Sequence, residues 1–284
     1  MQAPTVEIPL AVRLRLGRAA AQSVADRVGA DILHIKGDAV DTALRPVVRS
    51  GTDVDILVRP AHVARFDAAL RLNGWSVYST FTYGSPFGHA QTYLHEFWGY
   101  LDLHRLFPGI EEDPSAAFDL LWAGRSTTDI AGVDGAVPAV TAQAMILLLN
   151  AARTTPPGAV APLWADADEQ LRTDVRQLVA QLHADVAFAA ATGDLEHWRS
   201  ARTYPLWKVI TSGGSRAAEW RARVRAAPNF FEAARIVARA PAVNVEHLTH
   251  VLGRRPTRTE IVREFFGRPV TALRQAVSGR KTRS

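Results

Sequence analysis

Apolar residues recur at helical spacing from about Leu10 to Val28, and the pattern then changes. Asp31-Ile-Leu-His-Ile-Lys36 is a short β-prone run that Gly37 stops, so a strand is expected to end there. Asp38 can cap a brief helix through Leu44, closed by Pro46, with Arg45 and Arg49 on the loop that follows. Asp53 to Val58 reads as the next strand. Ala61 to Leu72 has helical period and stops at Asn73-Gly74, ahead of a strand from Trp75 to Thr80. Gln91 to His95 and Tyr100 to Arg105, separated by a few residues including Gly99, predict a hairpin, and a last edge strand is expected near Thr127 to Ala131.

From Thr141 onward strand signals vanish. The chain becomes rich in Ala, Leu and Arg at helical spacing, broken at Pro156-Pro157, Gly193, Gly213-Gly214, Pro228, Pro241, Gly253 and Gly267. The expected fold class is therefore α+β: a catalytic domain with a mixed sheet over 1–135, then an all-α helical domain over 136–284. No repeat of solenoid length is visible, and Ser278 to Ser284 reads as a free basic tail.

Composition narrows the class. Hydrophobic residues make up 48%, enough for a core, yet no apolar run approaches bilayer length, so no membrane partner is expected. Arg13, Arg15 and Arg18 interrupt the first apolar stretch, unlike a signal peptide, and a cytoplasmic location is expected. The absence of cysteine excludes disulfides, thiolate metal sites and cysteine nucleophiles. The net charge of +5 hides an asymmetry: after residue 200 there are 17 Lys+Arg against 5 Glu and no Asp, while the rest carries 16 basic and 23 acidic residues. A basic last third suits a polyanion such as tRNA or another RNA, although basic helices are also common on solvated surfaces.

The chemistry gathers around three acids. In Thr52-Asp-Val-Asp-Ile-Leu-Val58 alternate side chains share one face of a strand, so Asp53 and Asp55 point the same way. Two such carboxylates repel unless a cation neutralises them, and Mg2+ (or Mn2+), which takes oxygen ligands and substrate phosphates, is the natural partner. Asp-x-Asp alone recurs by chance on ordinary strand edges. Asp102, however, alternates with Leu101 and Leu103 on a further strand, and aspartate is depleted in strand interiors. Three carboxylates can hold two metals about 4 Å apart, the arrangement for in-line phosphoryl transfer. His104, on the same face as Asp102, could orient that acid, touch an acceptor or nucleotide, act as a base, or be a plain hydrogen-bonded strand histidine.

Lys36-Gly37 supplies a second element. Only three lysines occur, Lys36, Lys208 and Lys281, in a chain that otherwise uses arginine. Gly37 at a strand end would let the backbone approach a triphosphate, with the amides of Asp38 and Ala39 and a helix dipole favouring negative charge. Lys36, Gly37, Asp38, Arg45, Arg49, Thr52 and His104 are thus the candidate nucleotide contacts, against the plain alternative of a solvated lysine in a turn.

The order strand, Lys36-Gly37, short helix, arginine loop, Asp53-Val-Asp55-Ile-Leu-Val, then Asp102-Leu-His104 resembles the uncharacterised bacterial nucleotidyltransferase family of the DNA polymerase β-like superfamily. The resemblance covers roughly Ala30 to Arg105. It implies a polymerase β-like nucleotidyltransferase domain, an NTP donor, Asp53 and Asp55 as metal ligands, Asp102 as third acid, and Lys36-Gly37 as counterpart of the superfamily's glycine-serine loop. Lysine-glycine departs from glycine-serine, and the linker to the acids is longer.

Other motifs read as structure. Gly84-Ser85 follows the acid pair and suits a hairpin loop, and Ser212-Gly-Gly-Ser215, followed by arginines, suits a linker. Asp166-Ala-Asp168-Glu169 sits at a helix start, and Trp122, Trp164, Trp198, Trp207 and Trp220 sit mostly in helical segments as core. The expected activity is transfer of a nucleoside monophosphate from an NTP to a hydroxyl of RNA, a metabolite or a peptide. The alternatives are an inactive RNA- or protein-binding relative and a metal-dependent glycosyltransferase using Asp-x-Asp.

Overall fold

The computed structural model describes residues 8–44, 51–82, 87–239, 245–252 and 254–263. Arg45, Arg49 and Gly84-Ser85 lie outside the described residues.

Helix α1 (Leu10–Arg27) starts after Pro9 and ends where Gly29 takes φ +62°, with the Ala30 amide donating back to the Ala25 carbonyl. Strand β1 (Ile32–His34) is shorter than the β-prone run. After it come two three-residue 3₁₀ turns, Gly37–Ala39 and Thr42–Leu44, where the sequence pattern suggests one brief helix. Strand β2 (Asp53–Val58) leads through a 3₁₀ turn at Pro60–His62 into α2 (Val63–Leu72), which Asn73 and Gly74 close as expected. Three strands follow: β3 (Ser76–Ser79), β4 (Ala90–His95) and β5 (Gly99–His104).

The sheet order is β1-β2-β5-β4-β3. All neighbours are antiparallel except β2 and β5, which run parallel in the centre. The sheet is mixed, and its parallel pair is joined by the long crossover through α2, β3 and β4. Helix α3 (Pro114–Ala123) starts at Asp113, whose carboxylate accepts from the amides of Ser115 (2.9 Å) and Ala116 (3.1 Å).

The expected edge strand is present as β6 (Ser126–Ile130) but does not join the main sheet. It pairs with β7 (Val133–Val137) in a separate two-stranded hairpin. The Gly and two Asp in the hairpin's sequence weaken its strand signal, which is why β7 goes unseen in the pattern. Helices α4 (Val140–Ala151), α5 (Pro162–Ala165), α6 (Glu169–Gln181), α7 (Asp185–Thr192), α8 (Tyr204–Thr211), α9 (Arg216–Ala226), α10 (Phe230–Arg239) and α11 (Val245–Leu252) complete the described chain. Asp168 caps α6 through the Leu171 amide (2.7 Å), the structural role expected of that acidic run. No described helix is long and apolar enough to cross a membrane.

Two cores lie on the two faces of the sheet. On one, Val54, Ile56, Val58, Tyr93, Leu101 and Leu103 meet Leu14, Ala21, Val24, Ala25, Phe66 and Leu70 of α1 and α2. On the other, Leu33 and Leu57 join Phe107, Phe118, Met145, Leu149, Val179 and Trp207. The helical portion is therefore packed continuously onto one end of the sheet's second face. Gln143 of α4 ties it further, accepting from the Asp41 amide (2.7 Å) and donating to the Pro138 carbonyl (2.7 Å).

Candidate active site

The acids lie on the sheet's second face, with Asp53 and Asp102 partly exposed and Asp55 and His104 buried. In the parallel ladder Asp53 lies opposite Tyr100, Asp55 opposite Asp102 and Leu57 opposite His104. Residues opposite each other, and those two apart along a strand, share a face. Asp53, Asp55, Asp102 and His104 accordingly project together, while Val54, Ile56, Leu101 and Leu103 go into the first core. One ligand atom each from Asp55, Asp102 and His104 lie within 4.8 Å of one another. Asp53 stands two residues back along β2, half-buried and outside that tight cluster, yet close enough for its carboxyl to feel Asp55 and Asp102.

The four groups are not equivalent. Asp55 is 4% exposed. Its Oδ1 lies 2.5 Å from Lys36 Nζ and 2.9 Å from His104 Nε2. Burial alone would raise its pKa, but the hydrogen bond from His104 and the Lys36 charge outweigh it and hold the carboxyl at about 2. Asp53 has no such partners among the described residues: burial, then the negative charges of Asp55 and Asp102, push it up to about 6 against the weaker pull of Lys36 and Arg18. Burial also raises Asp102, whose Oδ1 accepts from Thr92 Oγ1 at 2.6 Å on the adjacent strand β4. His104 thus bonds to Asp55 instead of orienting Asp102; Thr92 takes the latter place.

This donor set suits a hard divalent cation. Two carboxylates with pKa values raised by burial and mutual repulsion are groups that a cation would relieve. Asp53, Asp55 and Asp102 offer the oxygens; His104, whose nitrogen is a poorer match for Mg2+, fits better as the group that fixes Asp55.

Lys36 and Gly37 bracket the cluster at the end of β1. Both have positive φ, +61° and +60°, a conformation natural for glycine and strained for lysine by roughly 1–3 kcal/mol. In this conformation the ammonium meets Asp55, and that ion pair offsets part of the strain. The following 3₁₀ turn has only three residues, too little aligned backbone for the expected helix dipole. The positive charge comes instead from Arg18, a residue the pattern reading did not assign to the site. It is 1% exposed, its Nε lies 2.5 Å from Asp38 Oδ1, and its guanidinium lies so close to the Gly37 Cα that a Cβ there would collide with it. Among the described residues its Nη1 has no hydrogen-bond partner. A signal existed: Leu14, Arg18, Ala21 and Ala25 follow one helical stripe, and an arginine on an apolar stripe needs a reason. Thr52 is exposed, immediately ahead of β2.

Two further groups approach from other elements. His89 is buried, its ring 5.1 Å from that of His104, and burial followed by the charge of His104 lowers its pKa to about 2. Arg153, just beyond α4, is partly buried; desolvation lowers its pKa while the charges of Asp55 and Asp102 oppose that shift. Neither was legible from spacing, because both reach the acids only through the tertiary fold.

No family model and no curated protein matches the chain. Among solved structures, the lincosamide antibiotic adenylyltransferase LnuA, lincomycin-bound, is 18% identical over 58% of this chain and 94% of its own, with a TM-score of 0.34. ANT(2")-Ia in complex with adenylyl-2"-tobramycin is 16% identical over 66% and 97%, with a TM-score of 0.36. An antigenic nucleotidyltransferase-like protein from Paracoccidioides brasiliensis is 18% identical over 67% and 95%, with a TM-score of 0.34. These are distant likenesses.

Proposed function

We propose that the chain is a nucleotidyltransferase that moves a nucleoside monophosphate from an NTP to a hydroxyl acceptor. The observation that carries this reading is the convergence of Asp53, Asp55 and Asp102 on one face of two parallel central strands, with Asp55 and Asp102 in register. Mg2+ or Mn2+, held by these three acids, would neutralise charge developing on the phosphate oxygens and lower the pKa of the attacking hydroxyl.

The chain's own residues do the rest. Lys36, paired with Asp55 in this structure, would offer its ammonium to the triphosphate. The backbone at Gly37 and Asp38 lies beside it, and Arg18 sets the shape of that turn and adds fixed positive charge. His104 holds Asp55, and Thr92 holds Asp102, so that neither rotates during the reaction. The acceptor oxygen bonds to the α-phosphorus and the bond from that phosphorus to the bridging oxygen breaks. Pyrophosphate leaves, and the hydroxyl proton passes to a carboxylate of the cluster. In this reading residues 1–135 form the catalytic domain and 136–284 the helical domain that covers one end of its sheet.

The test is incubation with α-labelled NTPs and Mg2+, with tRNA in one series and cell-extract metabolites in another. Label should enter one acceptor class and fail to do so with Asp53→Asn. Transfer that persists in this variant would contradict the assignment, and release of nucleoside diphosphate from a sugar nucleotide would favour glycosyl transfer.

A further inference from the structure

A cavity of about 410 Å³ lies where the end of α4 meets α8 and α9. One wall is the end of α4 and the residues after it, Asn150, Arg153 and Thr154. The opposite wall is the α8–α9 turn, with Val209, Ile210, Gly213, Gly214 and Glu219. That turn is not the loose linker suggested by Ser212-Gly-Gly-Ser215. Gly213 has φ +63°, a Cβ on Gly214 would come within 2.7 Å of Val209 Cγ1, and Ser215 caps α9 through the Ala218 amide. The wall is built.

Two routes connect the cavity to the acids. Arg153 lines it and is close enough to Asp55 and Asp102 to feel both charges. Separately, Val209, Ile210 and Phe87 pack against the same small core of Leu206, Ala222 and Ala226, and the Phe87 ring lies 6.1 Å from His89, itself 5.1 Å from His104. Arg153 is therefore the lining residue through which a molecule in the cavity meets the field of the cluster.

Its chemistry follows from Arg153. Among the described residues this guanidinium donates to Asn150 Oδ1 at 2.5 Å and forms no ion pair, and the charges of Asp55 and Asp102 offset its desolvation only in part. On the nucleotidyltransferase reading, on which this inference rests, those aspartates would hold divalent cations and would offer Arg153 no free countercharge. A partly desolvated cation in that position favours an anion. The size is that of one small molecule, and a polynucleotide could insert no more than a terminal residue.

We propose that this cavity is the acceptor subsite, and that the acceptor is a small hydroxylated molecule whose carboxylate or phosphate group pairs with Arg153. Val209 and Ile210 offer it an apolar wall, and Asn150 and Thr154 offer hydrogen bonds to hydroxyls.

The test measures binding by NMR saturation transfer with four probes: gluconate, glucose 6-phosphate, glucose and glucosamine. Each is titrated into the full chain with Mg2+ and a non-hydrolysable ATP analogue. At least one anionic probe should bind about tenfold or more tightly than glucose and glucosamine, the gain expected of a charge-assisted hydrogen bond. Which of the two binds distinguishes carboxylate from phosphate. In Arg153→Met the preference should vanish while the ATP analogue binds within about twofold of the parent. Val209→Trp, which fills the cavity and leaves the charge, should remove probe binding altogether, with circular dichroism checking the fold. Anionic probes that bind no better than glucose overturn the proposal. So does an Arg153→Met variant that loses the ATP analogue and keeps the probes, because Arg153 would then serve the donor. Arg153-dependent anion binding in a protein with no Mg2+-dependent affinity for the ATP analogue supports the subsite and counts against nucleotidyl transfer alone.

Discussion

The two faces of β2 and β5 carry opposite chemistry on the same backbone. Toward α1 and α2 the strands present Val54, Ile56, Leu101 and Leu103, all buried. Toward the other side they present Asp53, Asp55, Asp102 and His104. The apolar face positions the polar one. Burial of four aliphatic side chains against two helices fixes the strands, and the alternation of the pleat then aims the acids without further help. The polar face is the less comfortable of the two: of its acids only Asp55 has charged and hydrogen-bonding partners strong enough to outweigh burial.

The largest separation between the faces should come from Asp55→Asn. Removing a metal-binding oxygen and the charged anchor of Lys36 and His104 should cut transfer by about 10³-fold, the several kcal/mol expected of such a ligand, and should lower the urea midpoint by less than a core truncation does, because the asparagine oxygen still accepts from both. Steady-state label transfer beside urea unfolding measures both. Ile56→Ala, one residue away and pointing the opposite way, should do the reverse: a loss of about 2–5 kcal/mol in unfolding free energy with turnover per folded molecule preserved. If Ile56→Ala abolished turnover in fully folded protein, the division of labour between the faces would be wrong.

Lys36→Gly sharpens the comparison at the edge of the sheet. Glycine accepts φ +61° without strain, so the variant should lose less stability than Lys36→Ala, both giving up the ion pair with Asp55, while transfer falls by about 10²-fold and the NTP binds more weakly. Lys36→Ala should lose the same activity and none of the strain, and thermal unfolding of the two variants side by side reads the difference.

The smallest effect lies on the apolar face. His34 is buried there, its Nε2 2.9 Å from Gln22 Oε1, and burial followed by the Arg18 charge lowers its pKa to about 3. Its folded value is below the unfolded one, near 6.5. Below pH 6.5 the unfolded chain therefore takes up a proton that the folded chain refuses, and stability present above that pH is lost on acidification. Between pH 6.5 and 5 this one group should cost about 2 kcal/mol. His34→Gln, unfolded in urea at both pH values, should show a correspondingly flatter dependence.

Much of the framework was legible because it rests on period. β2 announces itself in Asp-Val-Asp-Ile-Leu-Val, β5 in Tyr-Leu-Asp-Leu-His, and the end of α2 in Asn73-Gly74. What period does not encode is pairing. The in-register match of Asp55 with Asp102 depends on a parallel neighbour distant in sequence, and the β6–β7 hairpin on a partner strand with weak propensity. Arg153 and His89 reach the acids only through packing. Arg18 was the exception, visible as a charge on an apolar stripe but read at first only as an interruption of that stripe.

The parallel pairing of β2 with β5 also sets an order of events during synthesis. About 40 residues of chain separate the two strands, and β5, already the hairpin partner of β4, must dock along β2. A nascent chain emerging from the ribosome exposes Asp53 and Asp55 well before Asp102 is available, so the repulsion from the third acid arises only when β5 docks. The electrostatically costly step thus falls late, when Leu101 and Leu103 enter the core in the same movement and offset it.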